Sequence, residues 1–256
     1  MKGKTPIVGL TAYTSLTAKV MDEEVDFILV GDSLAMVIYG DDSTVGIDLD
    51  TMIRHGHAVA RAAQHACVVV DLPFGFYQKS PEQAFDSAAR IMRETGCDAV
   101  KIEGGVEMAE TIAFLVARGI PVMGHIGLTP QSINTMGGFK TQGKNEEAVQ
   151  VLLNDAKAVD EAGAFAVVVE GVLEGVADQI HDVLTVPSIG IGASVNCDGQ
   201  ILVTEDMTGI FEDFKPTFVK RYAQVMSTIR EAVKEYAHDV RNRKFPSDEY
   251  VFKDKK

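Results

Sequence analysis

The 256-residue chain is 46% apolar and 24% charged, with a formal net charge of −13. This length suits one barrel-sized domain or two small ones, and the acidic balance argues against a nucleic-acid partner, which needs a basic stripe. No apolar run approaches membrane-spanning length and residues 1–11 lack a signal-peptide core, so a cytoplasmic chain with no membrane partner is expected.

Strand-like and helix-like stretches alternate along the chain. Strands are predicted at 7–11, 27–30, 67–70, 99–102, 121–124, 165–169, 186–191 and 201–203. Runs such as Phe27-Ile-Leu-Val and Ala166-Val-Val-Val are apolar at every position, as strands covered on both faces of a parallel sheet are. Ser80-Pro81-Glu82-Gln83 forms a capping box with proline at the first helical position, and Gly96 closes that helix. A helix over 106–118 stops at Gly119, and Asn145 caps one that runs to about Ala162. His55, His57, His65, His181 and His238 fall on predicted helices and carry no assigned role. The amphipathic stretch 217–241 exceeds what a barrel helix needs and is expected outside the barrel or on another subunit. The polar tail 247–256 is expected to be mobile. With no repeat or linker, residues 1–256 are expected to form a single α/β domain, a β/α barrel with a C-terminal helical extension and polar tail. One segment breaks the rhythm: the connection between His125 and Asn145, with Gly137, Gly138 and Gly143, is too long for an ordinary strand-to-helix loop. It reads as a lid or binding loop, or as a disordered insertion.

Asp32, Asp71, Glu103, His125 and Glu170 each stand where a predicted strand stops. Polar groups at the same end of successive parallel strands converge on one face, which in a closed barrel is the catalytic face. Three carboxylates converging there would repel one another unless a cation or a shared proton sat between them, so a metal-assisted enzyme is suggested. Gly31-Asp32-Ser33 lets the backbone approach a ligand and offers a carboxylate and a hydroxyl, but it is also ordinary turn chemistry. Asp71 reads either as a site acid or as the cap of the next turn. Lys101 and Glu103 share one side of their strand. Facing the helices, both charges would be buried among apolar groups at high cost. Facing the mouth, Lys101 can neutralise a substrate carboxylate while Glu103 serves a metal; a structural Lys–Glu pair is the alternative. A lone histidine such as His125 more often has a structural role than a catalytic one. Glu170 ends a very apolar strand with no basic neighbour in sequence, which suits a general base near neutral pH; a cap or surface carboxylate is the plainer reading. Gly190 and Gly192 are weak as a phosphate cradle and plainer as close packing at the barrel mouth. Cys67, Cys97 and Cys197 are unpatterned and read as reduced cytosolic thiols without zinc spacing.

Taken together, these segments closely resemble the ketopantoate hydroxymethyltransferase family. The resemblance runs through Leu10-Thr-Ala-Tyr13, Val30-Gly-Asp-Ser-Leu34, Asp71-Leu-Pro73, Pro81-Glu-Gln-Ala-Phe85, Val100-Lys-Ile-Glu-Gly-Gly105, Gly124-His-Ile-Gly-Leu-Thr-Pro-Gln131, Gly137-Gly-Phe-Lys140 and Cys197-Asp-Gly-Gln-Ile-Leu-Val203. It implies a (β/α)8 TIM barrel of the phosphoenolpyruvate/pyruvate type and a divalent metal, usually magnesium (Mg2+). It also implies α-ketoisovalerate (3-methyl-2-oxobutanoate) as substrate, methylenetetrahydrofolate as one-carbon donor, and ketopantoate, on the route to pantothenate and coenzyme A, as product. A homo-oligomer, often a decamer, is implied as well. Carried across by position, the metal acids fall on Asp32, Asp71 and Glu103, the substrate contacts on Asp32, Ser33, Asp71 and Lys101, and the base on Glu170; His125 is grouped with the substrate contacts. The implied chemistry is attack on the donor's methylene by a metal-stabilised enolate. Departures from the family pattern, such as Thr14 after Tyr13 and Gly171 after Glu170, leave the folate contacts undefined. Two rival readings stand beside it. One is an oxoacid carbon–carbon lyase of the isocitrate-lyase-like group, for which the usual Lys-Lys-Cys-Gly-His-type loop is missing. The other is a non-catalytic barrel, against which the intact acids, Lys101 and Glu170 argue.

Overall fold

Parallel strands β1 (Ile7–Thr11), β2 (Phe27–Val30), β3 (Cys67–Asp71), β4 (Ala99–Glu103), β5 (Val122–Gly127), β6 (Ala166–Glu170), β7 (Ser188–Ile191) and β8 (Gly199–Leu202) close in sequence order into a barrel. The computed structural model describes residues 2–253, so the last three residues of the polar tail lie outside the described residues. The chain divides into two compact units, Met1–Thr204 and Glu205–Lys256.

Side-chain alternation along the strands builds two cores in the barrel unit. Leu29, Val69, Ala99, Met123, Ala166, Val168 and Ile189 point inward and fill the barrel. Ile28, Val30, Val68, Val70, Val100, Val122, Val167 and Val169 point outward into the layer shared with the helices. This double burial is why the strands read as unbroken apolar runs. The same alternation places Asp71, Lys101, Glu103, His125 and Glu170 on the inner face, each two residues beyond an inward apolar or site residue.

Several strand limits differ from expectation. The strands carrying Asp71, Glu103, His125 and Glu170 run one to three residues further, because these polar residues continue the backbone ladder, with Asp71 level with Lys101 and Glu103 level with His125. β7 starts at Ser188, since Pro187 has no N–H to donate. β8 starts two residues early, at Gly199, where a Cβ would lie 2.4 Å from the Ile7 carbonyl oxygen. Only glycine permits that approach, so the strand reaches back to Gly199.

Helix limits are set by local capping. Ser80 Oγ accepts from Gln83 N–H at the start of helix Pro81–Thr95, and Gly96 ends it in the left-handed region (φ 76°). Asn145 caps Glu146–Glu161 through Ala148 N–H. The helix predicted over 106–118 opens with a tighter turn, Val106–Met108, before Ala109–Val116; Val106 N–H is taken by Asp155 Oδ1 at 3.0 Å. His65 lies in a bend rather than a helix, where its N–H donates to Asp22 Oδ1. In the second unit the long helix is Val225–Arg241, starting eight residues later than expected. Upstream, Val219 N–H bonds to Pro216 O and Tyr222 N–H to Met207 O, which diverts the backbone into turns.

The long connection after β5 is folded, not an irregular insertion. A short turn, Pro130–Ser132, leads into the helix Ile133–Met136. Its far end is pinned where Gln142 N–H donates to Gly171 O and Gln142 O accepts from Leu173 N–H. At its near end Gly127 adopts φ 93°, and a Cβ there would meet Glu170 O at 2.4 Å. Cys67, Cys97 and Cys197 are free thiols, and burial pushes the Cys67 thiol up to about 11. Among the described residues no helix is long and apolar enough to cross a membrane.

Candidate active site

At the C-terminal mouth of the barrel, four strand ends and one loop deliver Asp32, Asp71, Lys101, Glu103, His125 and Glu170 to one place. All but Glu170 are at most 5% exposed. Asp32 sits in the turn after β2, and its N–H donates to Asp71 Oδ2 at 3.0 Å. Ser33, next in that turn, exchanges a hydrogen bond with the Tyr13 hydroxyl at 2.8 Å. Lys101 Nζ is 3.2 Å from Asp71 Oδ1, so the lysine pairs across to β3 and not with Glu103 of its own strand. Glu103 Oε1 is 3.5 Å from His125 Nδ1, and His125 Nε2 is 3.1 Å from Glu170 Oε2. Glu170, with 15% of its side chain exposed, forms the outer end of the chain of charges.

Burial raises the cost of every charge here, and the neighbours decide which persists. Burial, then the charges of Asp71 and Glu103, push Asp32 well above the usual carboxylate range. Burial also raises Asp71, against the opposing pull of Lys101. Glu103 is lowered: burial acts upward, but His125 and Lys101 outweigh it. Lys101 is depressed by burial yet raised on balance by Asp71, Glu103 and Asp32, which keeps it an ammonium. For His125, burial and Lys101 act downward, while the nearby carboxylates of Glu103 and Glu170 carry it up to about 9. Lys101 Nζ also lies 3.0 Å from His125 Nδ1, an approach that on its own favours a neutral ring with its lone pair toward the lysine.

The donor set suits a hard divalent cation. Asp71 Oδ1 and Glu103 Oε1 are buried with no hydrogen bond: Lys101 and His125 are near enough to attract them but off the line a hydrogen bond needs. Carboxylate oxygens with unused lone pairs in a sealed site are natural ligands for magnesium. Among the described residues no group of three His, Cys, Asp or Glu side chains closes around one point. The fit is therefore to a cation taking one or two carboxylates from the protein and its other oxygens from substrate and water, a common way of holding magnesium.

Two buried residues of this site escaped the sequence reading of individual roles. Gln131, in the turn after β5, donates from Nε2 to Asp32 Oδ2 at 2.8 Å and to Leu72 O at 2.9 Å, and from its backbone N–H to Glu103 Oε2 at 3.0 Å. Tyr77 donates its hydroxyl to Gln131 Oε1 at 2.7 Å. Gln131 lies in a turn rich in loop residues and 99 positions from Asp32, so only its place within the Gly124–Gln131 motif could have flagged it.

A closed β/α barrel with buried acids, a lysine and a histidine at its C-terminal mouth has the arrangement of a β/α-barrel enzyme, whose chemistry is done at that face. Solved structures share the fold: a putative phosphonomutase from Burkholderia cenocepacia aligns with a TM-score of 0.65 at 16% identity over 90% of this chain and 94% of that one. A phosphoenolpyruvate phosphomutase from Streptomyces platensis aligns at 0.63 and 13% identity over 98% and 88%. A phosphonopyruvate hydrolase complexed with oxalate and Mg++ aligns at 0.60 and 13% identity over 97% and 87%. Within that class, residues 1–248 match the family described as ketopantoate hydroxymethyltransferase. A 3-methyl-2-oxobutanoate hydroxymethyltransferase from Sinorhizobium fredii is 59% identical over all of this chain and 94% of the relative, and one from Brucella suis is 56% identical over 98% and 92%. The chain belongs to the ketopantoate hydroxymethyltransferase family.

Proposed function

We propose that this protein transfers a hydroxymethyl group from methylenetetrahydrofolate to 3-methyl-2-oxobutanoate, giving ketopantoate for pantothenate synthesis, with Glu170 as the base. The observation that carries this reading is the linked set Asp71–Lys101 and Glu103–His125–Glu170 on one buried inner face. One or two of the acids Asp32, Asp71 and Glu103 would hold a magnesium ion directly, the other acid or acids facing it through water or substrate, and the ion when bound supplies a Lewis acid for the keto acid's oxygens. Relatives at 56–60% identity carry the activity in their names, and one solved neighbour of the same fold is described with Mg++.

In this reading Lys101 and Ser33 bind the substrate carboxylate, and the buried lysine supplies its counter-charge. Glu170 takes the C3 proton, leaving an enolate. His125, 3.1 Å away through Nε2, holds the Glu170 carboxylate toward the substrate. The enolate carbon bonds to the donor's methylene, both carbon–nitrogen bonds of that methylene break, water supplies the hydroxyl oxygen, and the C3 proton and one proton of the water end on the two folate nitrogens. The segment 126–144 closes the site against bulk water. By the same family likeness the protein works as a cytoplasmic homo-oligomer, a decamer. A turnover assay with 3-methyl-2-oxobutanoate and methylenetetrahydrofolate, followed by ketopantoate formation, tests the reading; no product with folded, magnesium-supplemented protein overturns it.

A further inference from the structure

We propose that Gln131 is a positioning residue that selects which oxygens of Asp32 and Glu103 face the cation and substrate. The inference rests on the metal-dependent reading above and adds a residue to it. Each of the three buried acids has one oxygen occupied by an N–H of the protein. Asp71 Oδ2 accepts from Asp32 N–H, Asp32 Oδ2 from Gln131 Nε2, and Glu103 Oε2 from Gln131 N–H. Two of those three donors come from Gln131. The opposite oxygens of Asp71 and Glu103, Oδ1 and Oε1, are the ones left buried without a hydrogen bond. Gln131 thus fixes the rotation of Asp32 and Glu103, and on Glu103 it takes Oε2 and leaves Oε1 on the side open to a ligand.

The amide is itself held firmly. Its Nε2 protons are divided between Asp32 Oδ2 and Leu72 O, and its Oε1 accepts from Tyr77 Oη at 2.7 Å and Gln78 Nε2 at 3.1 Å. Gln131 and Tyr77 are 4% and 1% exposed, so water does not compete. The bond set also fixes which end of the amide is nitrogen, because two acceptors face one end and two donors the other. Gln131 sits in the turn Pro130–Ser132 at the head of the connection after β5. Seating that connection therefore completes the carboxylate geometry, and lifting it releases Asp32 and Glu103 together. Partners of this kind, which orient a ligand without touching the metal, affect affinity or activity by about 10–100-fold when removed.

Gln131→Met keeps the length of the side chain and removes its donors; the backbone N–H to Glu103 remains. Tyr77→Phe leaves the glutamine but removes the shorter of the two hydrogen bonds to its Oε1, with that from Gln78 remaining. Magnesium binding to wild type and both variants is measured by calorimetry without substrate, alongside thermal unfolding and kcat and KM for the keto acid. The expected result is a magnesium Kd raised about 10–100-fold in Gln131→Met and by a smaller factor in Tyr77→Phe. Loss of kcat should exceed any rise in KM, with cooperative unfolding retained. Equal magnesium Kd and kcat in wild type and both variants overturns the positioning role while leaving the metal reading intact. Absence of magnesium binding in active wild type overturns the metal reading and this inference with it. Should Gln131→Met fail to fold, Tyr77→Phe decides: an unchanged Kd and kcat there overturns the proposal, and a weakened Kd with an unchanged unfolding temperature supports it.

Discussion

His125 Nε2 stands 3.1 Å from Glu170 Oε2, so the acid that has no basic neighbour in the sequence has one in space. The pairing follows from register. Gly127 of β5 is level with Glu170 of β6, and His125, two residues earlier on the same inward face, reaches up to it. Glu170 is the one acid of the cluster that is partly open to solvent, at 15%, while its partner histidine is sealed. It is thus placed to meet a substrate entering from the mouth, with its carboxylate held from below.

The first prediction tests Glu170 as the base. The protein should exchange the C3 proton of 3-methyl-2-oxobutanoate with deuterium oxide, with or without a folate analogue present. Glu170→Gln retains size but cannot take the proton, and exchange should fall by about 10²–10⁴-fold, the usual loss for a general base. Proton NMR of the isopropyl signal follows it. Wild-type exchange in the variant would pass the role to another group, His125 or a metal-bound water. No exchange in the wild type, together with cleavage of a larger keto acid, would favour a carbon–carbon lyase.

A second prediction concerns Lys101, which lies 3.2 Å from Asp71 Oδ1 with both side chains at most 4% exposed. Lys101→Ala removes the counter-charge of a buried acid, a change that costs about 3–5 kcal/mol when the remaining charge is uncompensated. Urea unfolding should show the loss. The KM for the keto acid should also rise about 10–100-fold, through the lost charged contact to the substrate carboxylate. A destabilised variant with an unchanged KM would make Lys101 a structural partner of Asp71 alone.

Much of this site was legible because strand chemistry repeats with a period of two. Val69, Ala99, Met123 and Val168 fill the barrel, so Asp71, Lys101, His125 and Glu170, two residues on, must face its mouth. Pairing was less legible. Lys101 and Glu103 share a strand face, yet Lys101 pairs with Asp71 because adjacent strands set those two level. The role of Gln131 was invisible from its neighbours in sequence, since its partners, Asp32, Leu72, Tyr77 and Glu103, come from three other parts of the chain. The strand expected from residue 201 starts at Gly199, because glycine there allows close approach to Ile7. The late start of Val225–Arg241 likewise reflects hydrogen bonds accepted by the Met207 and Pro216 carbonyls, which periodicity does not encode.

A third prediction concerns the cation. EDTA should abolish turnover and added magnesium restore it, because Asp71 Oδ1 and Glu103 Oε1 are buried without a hydrogen bond. Asp71→Asn should weaken magnesium binding in calorimetry, since it removes both a charge and a hard oxygen. Full turnover in protein verified as metal-free would sink the assignment.

The last prediction concerns acid stability and lies at the opposite end of the barrel strands. Asp198, with 3% of its side chain exposed, accepts from Gly3 N–H at 2.7 Å and Ser188 N–H at 3.0 Å, and Lys2 Nζ and His181 Nδ1 each lie 3.3 Å from its Oδ2. Burial acts to raise it, but the backbone N–H groups and Lys2 win and hold it down at about 2. The folded value is thus below the unfolded one, so the folded state binds this proton less tightly. Its stabilisation is fully present above about pH 4 and is lost as pH falls through about 2. The size is about 2 kcal/mol, at roughly 1.4 kcal/mol for each unit of displacement. Asp198→Asn should therefore be less stable than wild type at pH 7 by about that amount, and the gap should narrow as both proteins are acidified toward pH 2. Urea unfolding of the two proteins at pH 7, 4 and 2.5 measures it. A gap that stays constant across that range would mean that Asp198 acts through shape and neutral hydrogen bonds, with its charge contributing nothing to the link between the N-terminal segment and β7.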